Sequence, residues 1–321
     1  MTYVRTVLGD IEPTALGVTY AHEHVVIDGG RPVLMEPDFD LGDVALMATE
    51  VTAAAALGLN AVVDAMPCDA GRSALKLADL SRRTGVHVIA PTGLHHDRYY
   101  GPAHWSHRLS VEAIAKLFAL DVTDGIDAND YSGPVVERTD HRAGVLKIAG
   151  SAGGPSERDR RVFGAAAAAH HQTGVPILTH CEAGTGGLEQ LRLLTDLGVD
   201  PSHVTLSHVD KVADRGYHRE LLGAGAFGEY DQSFRWGEAP NGTLQLLEWA
   251  VEDGLAGQIV LGMDAARRGY YHVYDGSPGL TWLLAGFTDA MAERGLDETV
   301  RHRWFVANPA RAFAFAELEG A

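Results

Sequence analysis

Ala21-His22-Glu23-His24 follows a short β-branched and aromatic run, Val18-Thr19-Tyr20. On a strand, alternate side chains share a face, so His22 and His24 point the same way. Two imidazoles one pleat apart can hold a metal ion. The chain has 16 histidines, enough for such a spacing to arise by accident. The pair gains weight from the candidates that follow it: Lys147, His180, His208 and Asp264, each at or near the C-terminal end of a short apolar run. Taken singly, His180 or His208 could be a hydrogen-bonded core histidine, and Asp264 could be the N-cap of a turn. Lys147 is harder to dismiss, because it lies between Leu146 and Ile148. Burying a bare ammonium is costly, so it needs a partner, a depressed pKa or covalent chemistry. A lysine amine that takes up carbon dioxide becomes a carbamate, an anionic group with two oxygens that can bridge two metals. Imidazoles and a carboxylate suit zinc, and also manganese, cobalt or iron. Two such ions about 3.5–4 Å apart lower the pKa of a bridging water and polarise a substrate oxygen. Asp264 would then take the proton and deliver it to the leaving group. The expected chemistry is hydrolysis by a metal-bound hydroxide.

These residues need a scaffold that gathers strand ends. Residues 2–12 read as a short β-hairpin closed by Pro13. Strands are expected near 18–24, 60–66, 86–92, 144–149, 175–180, 204–208, 226–231 and 258–264. Helices are expected near 42–57, 72–84, 155–172, 186–197, 211–223, 241–253 and 279–293, with two short ones closing the chain. A polar loop spans Asp28 to Asp43. A long His- and aromatic-rich excursion, Gly93 to Ala143, follows the third strand and carries a helix near 110–120. Alternation of this kind predicts an α/β fold, a (β/α)8 TIM barrel with a short N-terminal β-hairpin, as one domain over 1–321. In a barrel, chemistry sits at the C-terminal strand ends, where all six candidates fall. No G-x-G-x-x-G follows the first strand, which removes the usual dinucleotide reading.

The formal net charge of −17 argues against nucleic acid or an anionic membrane as partner. Two cysteines, Cys68 and Cys181, form no CxxC and no disulfide framework, so a reducing compartment is the default. The N-terminus has no apolar signal-peptide core, and no apolar run reaches the roughly 18–20 residues that span a bilayer. The reading is a cytoplasmic protein acting on a small molecule.

The motifs Tyr20-Ala-His-Glu-His24, Val145-Leu-Lys-Ile148, Thr179-His-Cys-Glu-Ala-Gly-Thr185, Leu206-Ser-His-Val-Asp-Lys211 and Leu261-Gly-Met-Asp264 together resemble the phosphotriesterase-like group of the binuclear amidohydrolase superfamily. The resemblance runs from about residue 3 to Phe315. It implies that His22, His24 and Asp264 hold the buried metal, that His180 and His208 hold the exposed one, and that carboxylated Lys147 bridges them. The segment Met263-Asp-Ala-Ala-Arg267-Arg268-Gly-Tyr270 resembles the branch that opens phosphorylated sugar lactones. There a loop-seven lysine, a loop-eight arginine and a tyrosine bind the phosphate. Arg267 and Tyr270 match the last two; the lysine has no match, and Arg235 is near enough to substitute. Arg268 adds a third cation. Arginine forks suit phosphate and carboxylate; these arginines could instead answer Glu229, Glu238 or Asp275. Tyr99 and Tyr100 could cover the metal site, as a tyrosine does in lactonase relatives. The expected activity is a lactonase acting on a small, phosphorylated or otherwise anionic sugar lactone, with phosphotriesterase, arylesterase or amidase activity as the alternative. Phe234, Trp236 and Tyr271 could line an apolar pocket for that alternative. The partner expected besides the substrate is a second copy of the chain, in a homodimer.

Overall fold

A computed structural model describes residues 2–236 and 241–318. Glu238 and the two ends of the expected 1–321 domain lie outside the described residues. Strands β1 (Val4–Thr6) and β2 (Gly9–Ile11) form the expected antiparallel hairpin. Nine further segments are parallel: β3 (Thr19–Glu23), β4 (Ala61–Asp64), β5 (His87–Ile89), β6 (Pro91–Thr92), β7 (Val145–Gly150), β8 (Ile177–Cys181), β9 (Val204–Ser207), β10 (Phe227–Tyr230) and β11 (Ile259–Leu261). They pair as β3-β4-β5 and as β6 through β11 in order. β5 and β6 are one barrel strand interrupted at Ala90; Pro91, which has no N–H, cannot carry the ladder through. Beyond β11, the N–H groups of Met263 and Asp264 both donate to the His22 carbonyl, at 3.2 and 2.9 Å. That joins the last strand to the first, and eight strands close into a barrel.

Side-chain parity sets what faces the barrel axis. Val145, Leu178, Phe227 and Val260 form an interior cluster with Ala21, Ala61, Val63 and Ile89, plugged at the N-terminal end by Val4, Leu16 and Phe313. Leu146, Ile148, Ile177, Leu206 and Leu261 pack outward in the larger cluster against the helices. Counting by twos from Val145, Leu178 and Phe227 places Lys147, His180 and Glu229 on the interior face. In β3 the count would fail without an irregularity. Tyr20 to Glu23 is three steps opposite two steps in β4, Val62 to Asp64. This extra residue restarts the alternation, so Ala21 lies in the interior and His22 and His24 still turn into the mouth.

Elsewhere the differences are local. The helix expected over 42–57 is Val44–Ala55, started by Asp43, whose carboxylate accepts from the Ala45 and Leu46 N–H groups. The loop Asp28–Asp43 contains a short helix, Gly30–Met35. The segment 279–293 is a π-helical turn, Leu283–Phe287, leading into an α-helix, Thr288–Glu293. The long excursion folds back on the barrel around the helix Val111–Thr123. Buried Arg72 reaches Asp121 at 2.9 Å and Asp130 at 2.7 Å, and the Tyr131 hydroxyl donates to Asp121. The chain ends meet: Phe315 N–H donates to the Tyr3 carbonyl at 2.9 Å.

Candidate metal centre

Acceptor atoms converge in two places at the C-terminal mouth of the barrel. In the first, His22 Nε2 and His24 Nε2 lie 3.5 and 3.4 Å from the same Asp264 Oδ1. In the second, His208 Nε2 lies 2.8 Å from His180 Nδ1. These are the two groupings the resemblance implied. Both turn residues that complete them have left-handed backbone, His208 at φ 66° and Asp264 at φ 50°. Non-glycine residues adopt this region only under tertiary constraint, at about 1–3 kcal/mol each. Here the left-handed residue bends the chain at the strand end, where its side chain joins the cluster in the mouth.

The outer nitrogens say what the inner ones are for. His22 Nδ1 is 2.9 Å from Glu229, and His208 Nδ1 is 2.5 Å from Asp231. His180 Nε2 is 2.9 Å from Glu182. The tautomer that satisfies each contact puts the ring proton on the outer nitrogen, donating to the carboxylate, and leaves a lone pair facing inward. Burial first, then Lys147, holds His22 well below the usual histidine range; burial first, then His208, does the same for His180. Burial thus disfavours the charged form of these two rings. Lone pairs and a carboxylate oxygen that face one another with no donor between them fit divalent cations, and carboxylate-backed histidines are the usual support for such ligands. His24 Nδ1 has no hydrogen-bond partner, so that ring is oriented by what its Nε2 faces.

Lys147 is fully buried between the two groups, and its Nζ reaches Ser207 Oγ at 3.4 Å. Burial first lowers its pKa, against the raising effect of Glu229, Asp264 and Asp231, to about 8. A buried amine with one long hydrogen bond and a pKa near neutrality has the reactivity that carbamate formation needs. A side chain at Gly93 would put its Cβ 2.0 Å from the Lys147 carbonyl, and Gly93 has φ 117°. Only glycine lets the loop after β6 pass this close to the lysine's backbone.

The supporting acids Glu182, Glu229 and Asp231 are absent from the expected site. A signal existed: each sits two residues from another inward position, His180 for Glu182, Phe227 for Glu229 and Glu229 for Asp231. Asp231 is itself held by Asp210, whose carboxylate accepts the Asp231 and Gln232 N–H groups. Burial first, then the charge of Asp231, raises the Glu229 carboxyl. Burial also opposes ionisation of Asp231, but His208 outweighs it and holds Asp231 low.

The centre opens into a cavity of about 220 Å³. Tyr99, Arg235, Arg267 and Tyr270 line it, with Arg98, Glu182 and Lys211. Arg235 is already engaged: it donates to the carbonyls of Asp231 and Met263, at 2.8 and 2.7 Å, and of Asp264 at 2.5 Å. Arg267 pairs with Glu36 and lies over the Phe39 ring. Arg98 forms a forked pair with Glu182. Among the described residues lining the cavity, Lys211 is the one cation without a carboxylate or carbonyl partner.

Several expected contacts do not reach this cavity. Arg268 turns outward to Asp40, at 2.7 Å, because its backbone has entered the next turn. Tyr100 is packed on His104, and its hydroxyl accepts the His95 N–H. Phe234 lies behind Tyr270, Trp236 donates to Thr243, and the Tyr271 hydroxyl donates to the His24 and Ala265 carbonyls. The apolar wall is instead Ile27, Phe39, Met66, Tyr99 and Ala266. The arginines pair with acids other than Glu229 and Asp275.

The chain is similar to several known proteins. A phospho-furanose lactonase of Mycoplasmopsis synoviae is 30% identical over 326 residues, covering 98% of this chain and 92% of that protein. A phosphotriesterase homology protein of Escherichia coli is 31% identical over 304 residues, covering 94% and 99%. The crystal structure of a lactonase from Listeria monocytogenes superposes with a TM-score of 0.89 at 28% identity, over 98% of this chain and all of that one. The model of the phosphotriesterase family matches residues 2–313, from the hairpin to the last helix, and the chain belongs to that family.

Proposed function

We propose that this protein is a metal-dependent lactonase that holds two divalent ions, and that its substrate is a small sugar lactone carrying an anionic group. The observation that carries the reading is the convergence of histidine ring nitrogens and Asp264 Oδ1 at two adjacent points beside buried Lys147. His22, His24 and Asp264 would hold one ion, His180 and His208 the other, and Lys147, carboxylated, would join them. Zinc suits this donor set, as do manganese, cobalt and iron. When bound, two such ions supply Lewis acidity and a water of lowered pKa.

The chain's own residues account for the rest. Asp264 faces the cavity with its side chain partly exposed and the remaining ligands buried. It is the acceptor placed to take a proton from a nucleophilic water and return it to the leaving oxygen as the ring opens. Burial opposes its ionisation, but His208, His24, His22 and Arg235 outweigh it, so the carboxylate is ready to accept. Arg235 fixes the backbone on either side of it. Tyr99 and Tyr270 line the cavity. Lys211, unpaired, would supply the positive charge for an anionic substituent, with Arg267 and Tyr270 lining the same cavity, in the role expected of a loop-seven lysine. The cavity is smaller than the roughly 300–1,000 Å³ of drug-sized ligand pockets, which favours a compact substrate.

The family name and the apolar wall of Ile27, Phe39 and Met66 favour phosphotriester or aryl ester hydrolysis as a side activity. We extend the proposal to one domain over 1–321, assembled as a homodimer and working in the cytoplasm. Its supports are the joined chain ends, exposed Leu34 and Met35 beside the mouth, and two buried unpaired cysteines. Among the described residues, no helix is long and apolar enough to cross a membrane. The test is a lactone panel, each ring with and without a phosphate, on protein reconstituted with zinc and bicarbonate. Turnover of phosphorylated lactones above their neutral counterparts is expected; a panel with no turnover, beside active aryl esters, would reverse the order of the two activities.

A further inference from the structure

The orientation of His180 rests on an acid in the turn that follows its own strand. β8 ends at Cys181, and the chain turns at once through Ala183, φ 53°, and Gly184, φ 75°. Ala183 lacks glycine's freedom, so tertiary contacts must hold this turn. They do: the Tyr217 hydroxyl donates to the Gly184 carbonyl at 3.1 Å, and the Thr185 hydroxyl donates to the Glu182 carbonyl at 2.9 Å. The turn folds Glu182 back over its own strand end. Its Oε2 lies 2.9 Å from His180 Nε2 and 3.0 Å from His96 Nε2. Arg98 grips both oxygens, at 3.1 and 3.2 Å. His96 and Arg98 come from the loop after β6, so one carboxylate ties two loops to one ring.

A neutral imidazole has a single N–H. With that proton on Nε2, His180 donates to Glu182, and its bare Nδ1 faces His208 Nε2 at 2.8 Å. With the proton on Nδ1, the same 2.8 Å becomes a direct hydrogen bond between the two histidines, and the lone pair needed for an ion is gone. His208 cannot choose, because its own Nδ1 is committed to Asp231. Glu182 decides between an open site and a closed histidine pair.

We propose that Glu182, anchored by Arg98, is a positioning residue that keeps His180 in the Nε2–H form and so holds the second metal position open. The inference rests on the binuclear reading above. The test uses full-length protein, stripped with chelator and titrated with zinc against a chromophoric chelator, and records ring 15N shifts of His180 in the metal-free state. Wild type should bind two equivalents and show Nε2 protonated. Glu182→Ala should keep the first equivalent unchanged, weaken the second by about 10- to 100-fold and move the ring proton toward Nδ1. Glu182→Gln, whose amide oxygen still accepts from Nε2–H, should weaken it less, and Arg98→Ala should fall between. If Glu182→Ala does not fold, the Gln and Arg98→Ala proteins decide: wild-type affinity in both overturns the proposal. So does an unchanged second equivalent in Glu182→Ala. A third equivalent lost in that variant, with the first two intact, also overturns it, because Glu182 would then be a ligand of its own site. Wild type binding fewer than two equivalents removes the binuclear reading as well, which separates the two failures.

Discussion

Replacing Lys211 with alanine should cost activity on an anionic lactone and spare a neutral one. The cavity's other cations are already engaged. Arg98 is forked onto Glu182, Arg235 is spread over three main-chain carbonyls, and Arg267 is paired with Glu36. Lys211 has no such partner to give up, so a substrate anion gains its full charged hydrogen bond, about 1.5–3 kcal/mol. Arg267 must loosen a half-exposed pair to Glu36, worth about 0–1 kcal/mol, which comes off its gain. Lys211→Ala should therefore lower kcat/KM on the phosphorylated lactone by roughly 10- to 150-fold, and Arg267→Ala by less. On the neutral lactone both should stay within about threefold, since neither side chain is hydrogen-bonded to the histidines or Asp264. Added salt should shrink the wild-type preference and leave the Lys211→Ala protein little changed. Steady-state kinetics on matched lactones at two ionic strengths measures this. Equal losses on both substrates would refute the reasoning and make Lys211 structural. A larger loss in Arg267→Ala would show that the Glu36 pair does not compete.

Asp264→Asn should keep the fold and lower kcat by at least about 100-fold, as expected for a lost proton carrier; turnover near wild type with an unchanged melting curve would remove Asp264 from proton transfer. Arg235→Ala should act on neutral and anionic lactones alike and lower stability by about 1–3 kcal/mol, because three carbonyls lose their donor; urea unfolding reads this, and a loss confined to the anionic substrate would return Arg235 to substrate binding. Carbamate formation needs the neutral amine, and the folded Lys147 amine titrates at about 8, below its usual value, so it is the ammonium below that pH and the free amine above it. Reactivation of metal-free protein at fixed dissolved carbon dioxide and zinc should thus quicken about tenfold per pH unit from about pH 6 and level off above about pH 8; a rate independent of pH would count against carboxylation.

The cluster of candidate ligands was legible in sequence because strand alternation and barrel topology are local rules. An HxH on a β-branched run shares a face wherever the strand goes, and strand ends gather at one mouth once eight βα units close. Lys147 was conspicuous by solvation cost alone. The same rule could have found Glu229, Asp231 and Glu182, since they follow inward positions by two; an acid in a short strand, however, carries no mark of whether it is a surface charge or a buried brace. Tertiary structure decided the rest. The extra residue in β3 sets which face His22 and His24 take, and only pairing with β4 shows it. The substrate-side cations differ for a related reason. Arg235, Arg267, Arg268 and Lys211 have the same charge in sequence, but what each can bind depends on which acceptors its neighbours offer. Asp40 and Glu36, more than two hundred residues away in the chain, turn Arg268 outward and engage Arg267, and main-chain carbonyls engage Arg235. Residue type fixes a side chain's chemistry, and long-range packing fixes whether that chemistry is free.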